Sequence, residues 1–244
     1  MRRFTIAAGA LVLALAVGAA PAHATNGYFV PTMQYQAEWD QYRGVIDPYG
    51  MDVTFFHDLP GNHDTFSDQD ATYYLNNSLL GAATGTWHDA WLHAYPFGEY
   101  LFIGLNSADT TGSIPGFDSP GLTADELLYL EDTLVAYSGA DLAFVFTHHP
   151  EHSLDYGDSE VRTLIDVHGV SAWGNGHDHD YRRERVDDAL HVNIDSMGKS
   201  DNDNLALWAV DGNGLSVRAV DLGEWPAVLV TAPVDAELGG SNPH

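Results

Sequence analysis

No cysteine occurs in the 244 residues, which excludes disulfides and thiolate chemistry. Cations are scarce too. Nine Lys and Arg stand against 35 Asp and Glu, the formal charge is −26, and Lys199 is the only lysine. A surface so acidic repels nucleic acid and anionic membranes, which excludes either as the main partner. It suits solubility at high salt, where self-repulsion is screened. Beyond the first 24 residues no apolar run is long enough for a membrane helix. Hydrophobic residues make up 45% of the chain, enough to fill a sizeable core, and the length suits one α/β domain. No internal repeat is visible.

Residues 1–24 read as a signal peptide. Arg2 and Arg3 precede an apolar core from Ile6 to Ala20, and Ala22-His23-Ala24 is a small-x-small cleavage site. The expectation is an exported protein, periplasmic or extracellular, that begins near Thr25 and has no membrane attachment after cleavage. One domain is expected over 25–223, with a Pro- and Gly-rich peripheral tail over 224–244.

Within that domain the spacing of Tyr35, Trp39, Tyr42 and Ile46 predicts an amphipathic helix over 33–46, followed by a strand at 52–57. Residues 65–86 read as a loop with a short helix. Strands are expected at 100–105, 142–147 and 170–173. Thr123 and Glu126 form a capping-box pattern ahead of Leu127, Leu130 and Leu134, and 160–168 reads as a further helix. Three more strands at 190–194, 205–210 and 215–220 follow, the last two joined by the hairpin signature Asp211-Gly212-Asn213-Gly214. The alternation predicts an α/β fold with layered sheets.

Three strand ends carry the chemistry. Gly61-Asn62-His63-Asp64 follows the strand at 52–57. His148-His149-Pro150 follows the strand at 142–147. Gly176-His177-Asp178-His179 follows the strand at 170–173. Three such turns point to one site at the carboxyl edge of a sheet, where open α/β folds place ligands. Mixed imidazole and amide donors suit a divalent transition metal (Mn, Fe or Zn) rather than calcium. An ion in such a site can polarise a phosphoryl oxygen and bring a bound water's pKa to roughly 7.

These motifs, in this order and each after a strand, resemble those of the calcineurin-like metallophosphoesterases over roughly residues 33 to 221. The resemblance implies a layered β-sheet sandwich flanked by helices and a hydrolase acting on small phosphate esters. It implies Asn62, His148 and His177 as ligands of one metal and His179 as a ligand of another. His63 is implied as the residue that contacts the phosphate and protonates the leaving oxygen, and Asp64 as its hydrogen-bond acceptor. His149, next to a ligand, is expected to point elsewhere.

The chain also departs from the family. No Asp-x-His and no Gly-Asp turn lies between Thr25 and Pro60, so the N-terminal strands that carry those ligands are apparently missing. Asp166-Val167-His168 sits at a helix end and reads as a decoy. Three alternatives follow: a relative that folds without catalysing and acts as a binding protein, a gene fragment short of its first two strands, or a site completed by His57 and Asp58. The aromatics Trp87, Trp91, Tyr95 and Phe97 are expected in the core. The acidic groups Asp64, Asp68 and Asp70 and the pair Asp201 and Asp203 lack a full calcium-loop pattern.

Overall fold

The computed structural model describes residues 11–16, 26–29, 35–54, 56–65, 70–95, 98–108, 119–196, 204–211, 214–221 and 223–224. Two sheets face each other. The first runs β11 (Gly214–Asp221), β10 (Asn204–Asp211), β1 (Leu11–Ala16), β2 (Asn26–Phe29) and β3 (Phe56–Asp58). The second runs β4 (Asp89–Tyr95), β5 (Gly98–Gly104), β6 (Leu142–Phe146), β7 (Ala172–Asn175), β9 (Ala189–Asn193) and β8 (Arg182–Val186). In the second sheet β5, β6, β7 and β9 are parallel, and antiparallel β4 and β8 form its edges. This is the expected α/β sandwich.

The central strands are apolar on both faces, as parallel strands covered on both sides must be. Tyr100, Phe102, Phe144 and Phe146 point into the space between the sheets, where they meet Trp208, Val210, Leu215 and Val217. Leu101, Ile103, Val145 and Trp173 point the other way. There they are covered by Leu130 and Leu134 of α5 (Ala124–Ala136) and by Val161 and Ile165 of α6 (Asp158–His168). Gly174 lies under the Phe146 ring of the neighbouring strand, with Trp208 of the first sheet beyond it. A β-carbon on it would lie 2.6 Å from Phe146 and 3.3 Å from Trp208.

A third cluster joins Trp39, Tyr42 and Ile46 of α1 (Gln36–Ile46) to Tyr74 of α3 (Thr72–Asn77). Tyr35, expected on the buried stripe, is 56% exposed because it caps the helix instead of lying within it. The cluster is tied to β3 by the fully buried Asp58. Its carboxylate accepts the Tyr42 hydroxyl at 2.7 Å and the N–H groups of Leu79 and Leu80 at 2.5 and 2.7 Å. Those two N–H groups open α4 (Leu79–Thr84), whose unpaired N-terminal donors favour a carboxylate. Burial pushes the Tyr42 hydroxyl well above its usual range, with the Asp58 charge acting the same way, so it stays a donor.

Several elements differ from the sequence reading. β3 is three residues long because Asp52 takes the Thr54 N–H at 2.8 Å and turns the chain where a longer strand was expected. The stretch 65–86 holds two short helices, with Ser78 capping the second by accepting the Gly81 N–H at 2.7 Å. Thr123 caps α5 as expected, accepting the Glu126 N–H at 3.2 Å. The Glu126 carboxylate turns instead to His88 at 2.9 Å and to the Asn106 N–H at 3.1 Å.

β1 and β2 pair where strands were read as missing, and β1 draws on the apolar run assigned to the signal peptide. β1 lies between β10 and β2, so the cleavage after Ala24 that the signal-peptide reading expects would remove it. The tail from residue 225, Phe97, Asp68, Asp201 and Asp203 lie outside the described residues, as does the Tyr95 side chain.

Asp58→Ala would strand two buried backbone donors and a hydroxyl. It is expected to cost at least about 3 kcal/mol, against about 1 kcal/mol for Tyr42→Phe. Urea unfolding midpoints at unchanged slope measure both. Equal small losses would show that Asp58 does not organise this corner.

Candidate metal centre

Parallel pairing sets the turns after β6 and β7 side by side. The Thr147 N–H donates to the Gly174 carbonyl at 3.0 Å, and the Gly176 N–H to the His148 carbonyl at 2.9 Å. His148 and His177 therefore stand as neighbours, their ring centroids 5.1 Å apart. Asn62 arrives from the first sheet, in the single helical turn α2 (Asn62–Thr65) that follows β3. Its Oδ1 lies 2.9 Å from Nε2 of His148, and Nδ1 of His177 lies 3.2 Å from that same nitrogen.

Three acceptor-type atoms thus crowd one point, and a single proton on Nε2 cannot serve both neighbours. A divalent ion can serve all three. With metal–ligand bonds of about 2.1 Å, ligand atoms sit about 3.0 Å apart in octahedral and about 3.4 Å apart in tetrahedral sites. Burial holds the His148 imidazole well below its ordinary 6.5, and His149, His177, His63 and His179 push it the same way. A neutral imidazole is the form that ligates. The donors present therefore fit one divalent ion. The fit is imperfect in one respect: Nδ1 of His148 has no hydrogen-bond partner among the described residues, where metal-binding histidines usually have one.

The backbone is strained to make this turn. His177 and His179 have φ of 73° and 56°, left-handed values that cost a residue with a β-carbon on the order of 1 kcal/mol. Such strain persists where the surrounding structure imposes it. His63 and His179 are half-buried near His148, close enough to act on its charge. Asp64 is fully buried, and its carboxylate accepts the Gly61 N–H at 2.8 Å, closing the turn that carries Asn62.

His149, expected to point elsewhere, lies inside the cluster. Its ring centroid is 4.6 Å from that of His148 and 4.5 Å from that of His177. The doublet His148-His149 was the available signal. Both residues lie in the turn beyond β6, where neighbouring side chains need not face opposite ways.

His57 and Asp58 do not complete the site. His57 pairs with Asp89 at 2.5 Å and stacks on Trp91, while both Asp58 oxygens are engaged by Tyr42 and α4. Asp166 and His168 lie on α6, as a decoy should. Trp91 stacks on Phe102 with centroids 3.9 Å apart, the packing role expected of it. Among the described residues the cluster of metal-type side chains is His148, His149 and His177, with no carboxylate.

The sequence model of the calcineurin-like phosphoesterase family matches residues 28–181, more than half of the chain. That family implies a divalent metal. Mouse Transmembrane protein 62 is 23% identical over 216 residues, which is 82% of this chain. The chain spans about a third of that protein's length, 32%. No described helix here is long and apolar enough to cross a membrane. A solved structure of GAP50, the anchor in the inner membrane complex of Plasmodium, superposes with a TM-score of 0.52 at 10% identity. That superposition covers 95% of this chain and 90% of the other, and it supports the fold.

Acid should loosen the metal-free protein. Burial lowers His148, His191 and His93 alike. Below the ordinary 6.5 the unfolded chain takes up protons that the fold refuses. Their contribution is therefore complete above that value and lost as the pH falls below it. Asp58, raised from 3.8 by burial, acts in the opposite sense but is one group against three. The urea midpoint is expected to fall between about pH 7.5 and 5.5, and His191→Gln to remove part of that slope. A midpoint flat across this range would refute the assignment.

Proposed function

The chain belongs to the calcineurin-like phosphoesterase family, and from that premise we propose that it is an exported, metal-dependent hydrolase of small phosphate esters. The convergence of Asn62 Oδ1, His148 Nε2 and His177 Nδ1 carries this reading. These three would hold one ion of the Mn, Fe or Zn type, and His179 would face a second. An ion held there supplies Lewis-acid polarisation of a phosphoryl oxygen.

The chain's own groups do the rest. His63 is half-buried one residue beyond Asn62 and close enough to His148 to act on its charge, which supports a place for it beside a phosphate at the ion. It is the group proposed to protonate the leaving oxygen. Asp64 closes the turn beneath it through the Gly61 N–H. In a chain of charge −26, an anionic substrate is otherwise repelled, so its affinity depends on the ion and these imidazoles.

A second reading rests on a specific observation: no carboxylate joins the histidine cluster among the described residues. Without a bridging carboxylate the fold would hold one ion and bind a ligand without turnover.

Kinetics with zinc, manganese or iron supplied separate the two. His63→Ala is expected to reduce turnover of an alkyl phosphate by about 10²-fold or more, and of an activated aryl phosphate far less, because a good leaving group needs little protonation. His177→Ala should reduce both alike. Equal losses for His63→Ala remove it from the acid role. Folded protein that binds the ion and turns over neither ester establishes the binding-protein reading.

A further inference from the structure

Ser107 follows β5 and is fully buried. Its Oγ accepts the N–H of His148 at 3.1 Å and the N–H of His149 at 2.9 Å. The same Oγ lies 3.1 Å from Nδ1 of His149. A serine hydroxyl offers two lone pairs and one proton. Two backbone donors occupy the lone pairs, so the proton is what faces the ring, and Nδ1 of His149 accepts it. A neutral imidazole that accepts at Nδ1 carries its hydrogen on Nε2.

We propose that Ser107 is the positioning residue of this site: it clamps the His148 turn and locks His149 as the Nε2–H tautomer, which keeps His149 out of the ion's ligand set. The ligand half of the proposal rests on reading Asn62, His148 and His177 as ion ligands. Position alone would admit His149, since ligand atoms of His148, His149 and His177 all lie within 4.8 Å of one another. The proton count excludes it.

The exclusion decides what kind of site this is. Four protein donors, Asn62 and three histidines, would close a tetrahedral site of the structural type. Three donors leave a position open, which is the pattern of a catalytic site. Thr147 completes the clamp from the other side, its hydroxyl donating to the His149 carbonyl at 2.7 Å. The turn is thus held at two N–H groups, one carbonyl and one ring nitrogen before any ion arrives. The doublet His148-His149 places two similar side chains beside one ion, and Ser107 is the group that distinguishes them.

Long-range ¹⁵N–¹H correlation spectra of the ¹⁵N-labelled, metal-free protein read the tautomer directly. His149 is expected to show a protonated Nε2 and an unprotonated Nδ1, and Ser107→Ala to give a mixture of tautomers. Added Zn²⁺ should move the ring nitrogens of His148 and His177 and leave those of His149 in place. In calorimetric titration Ser107→Ala should weaken Zn²⁺ binding about 10- to 100-fold, the usual effect of losing a group that orients ligands, and Ser107→Thr, which keeps the hydroxyl, should restore it. A His149 protonated at Nδ1 in the unaltered protein, or His149 nitrogens that move with Zn²⁺, would overturn the proposal. Zn²⁺ that moves none of the three histidines would overturn the ligand half together with the metal reading, and the metal-free spectrum would still decide the lock.

Discussion

The parallel register of β6 and β7 is the constraint from which the site follows. Phe144, Val145 and Phe146 pair with Ala172, Trp173 and Gly174, so the two strands end level and their turns are bonded to each other. Parallel pairing of this kind requires a crossover, which α6 supplies, and it requires both faces to be covered. α5 and α6 cover one face. The other is closed by the first sheet, whose Trp208 packs edge-on against Phe144 and Phe146. The first sheet also supplies the end of β3, and with it Asn62, which lies within hydrogen-bond distance of His148.

Three kinds of force hold the centre. Burial and four neighbouring imidazoles keep His148 neutral. The backbone at His177 and His179 is held in left-handed conformations that carry strain. Hydrogen bonds to Ser107 Oγ, and from the Thr147 hydroxyl and the Gly176 N–H, set the turns in place independently of any ion. The result is a preorganised group of neutral donors in a protein whose net charge is strongly negative. A cation is drawn to such a place by both the local geometry and the overall field. An anion is drawn there only after the cation.

The carboxylates nearest in sequence to the first turn each hold a piece of structure. Asp58 collects Tyr42 and the opening of α4, and Asp64 closes its own turn at the Gly61 N–H. Neither could be known from type or position. Asp58 reads as a group that could complete the site until its donors are found, and those donors lie sixteen, twenty-one and twenty-two residues away. His57 is similar, since the acceptor that claims it, Asp89, comes from the opposite sheet.

What the amino-acid order determined by itself was local or patterned. The apolar runs at 100–105 and 142–147 dictated buried strands, the spacing of Trp39, Tyr42 and Ile46 dictated α1, and three strand ends carrying Asn or His marked the residues that meet. β8 is illegible because Arg182-Arg183-Glu184-Arg185 has no apolar face to reveal a strand, and β4 because aromatics expected in the core do not by themselves distinguish a strand from a loop. The tertiary structure alone decided which imidazoles share a point and which carboxylates are taken. It also decided that His149 turns inward. Each of those outcomes depends on a partner distant in sequence, and a hydrogen bond's direction is settled by the partner, not by the residue that makes it.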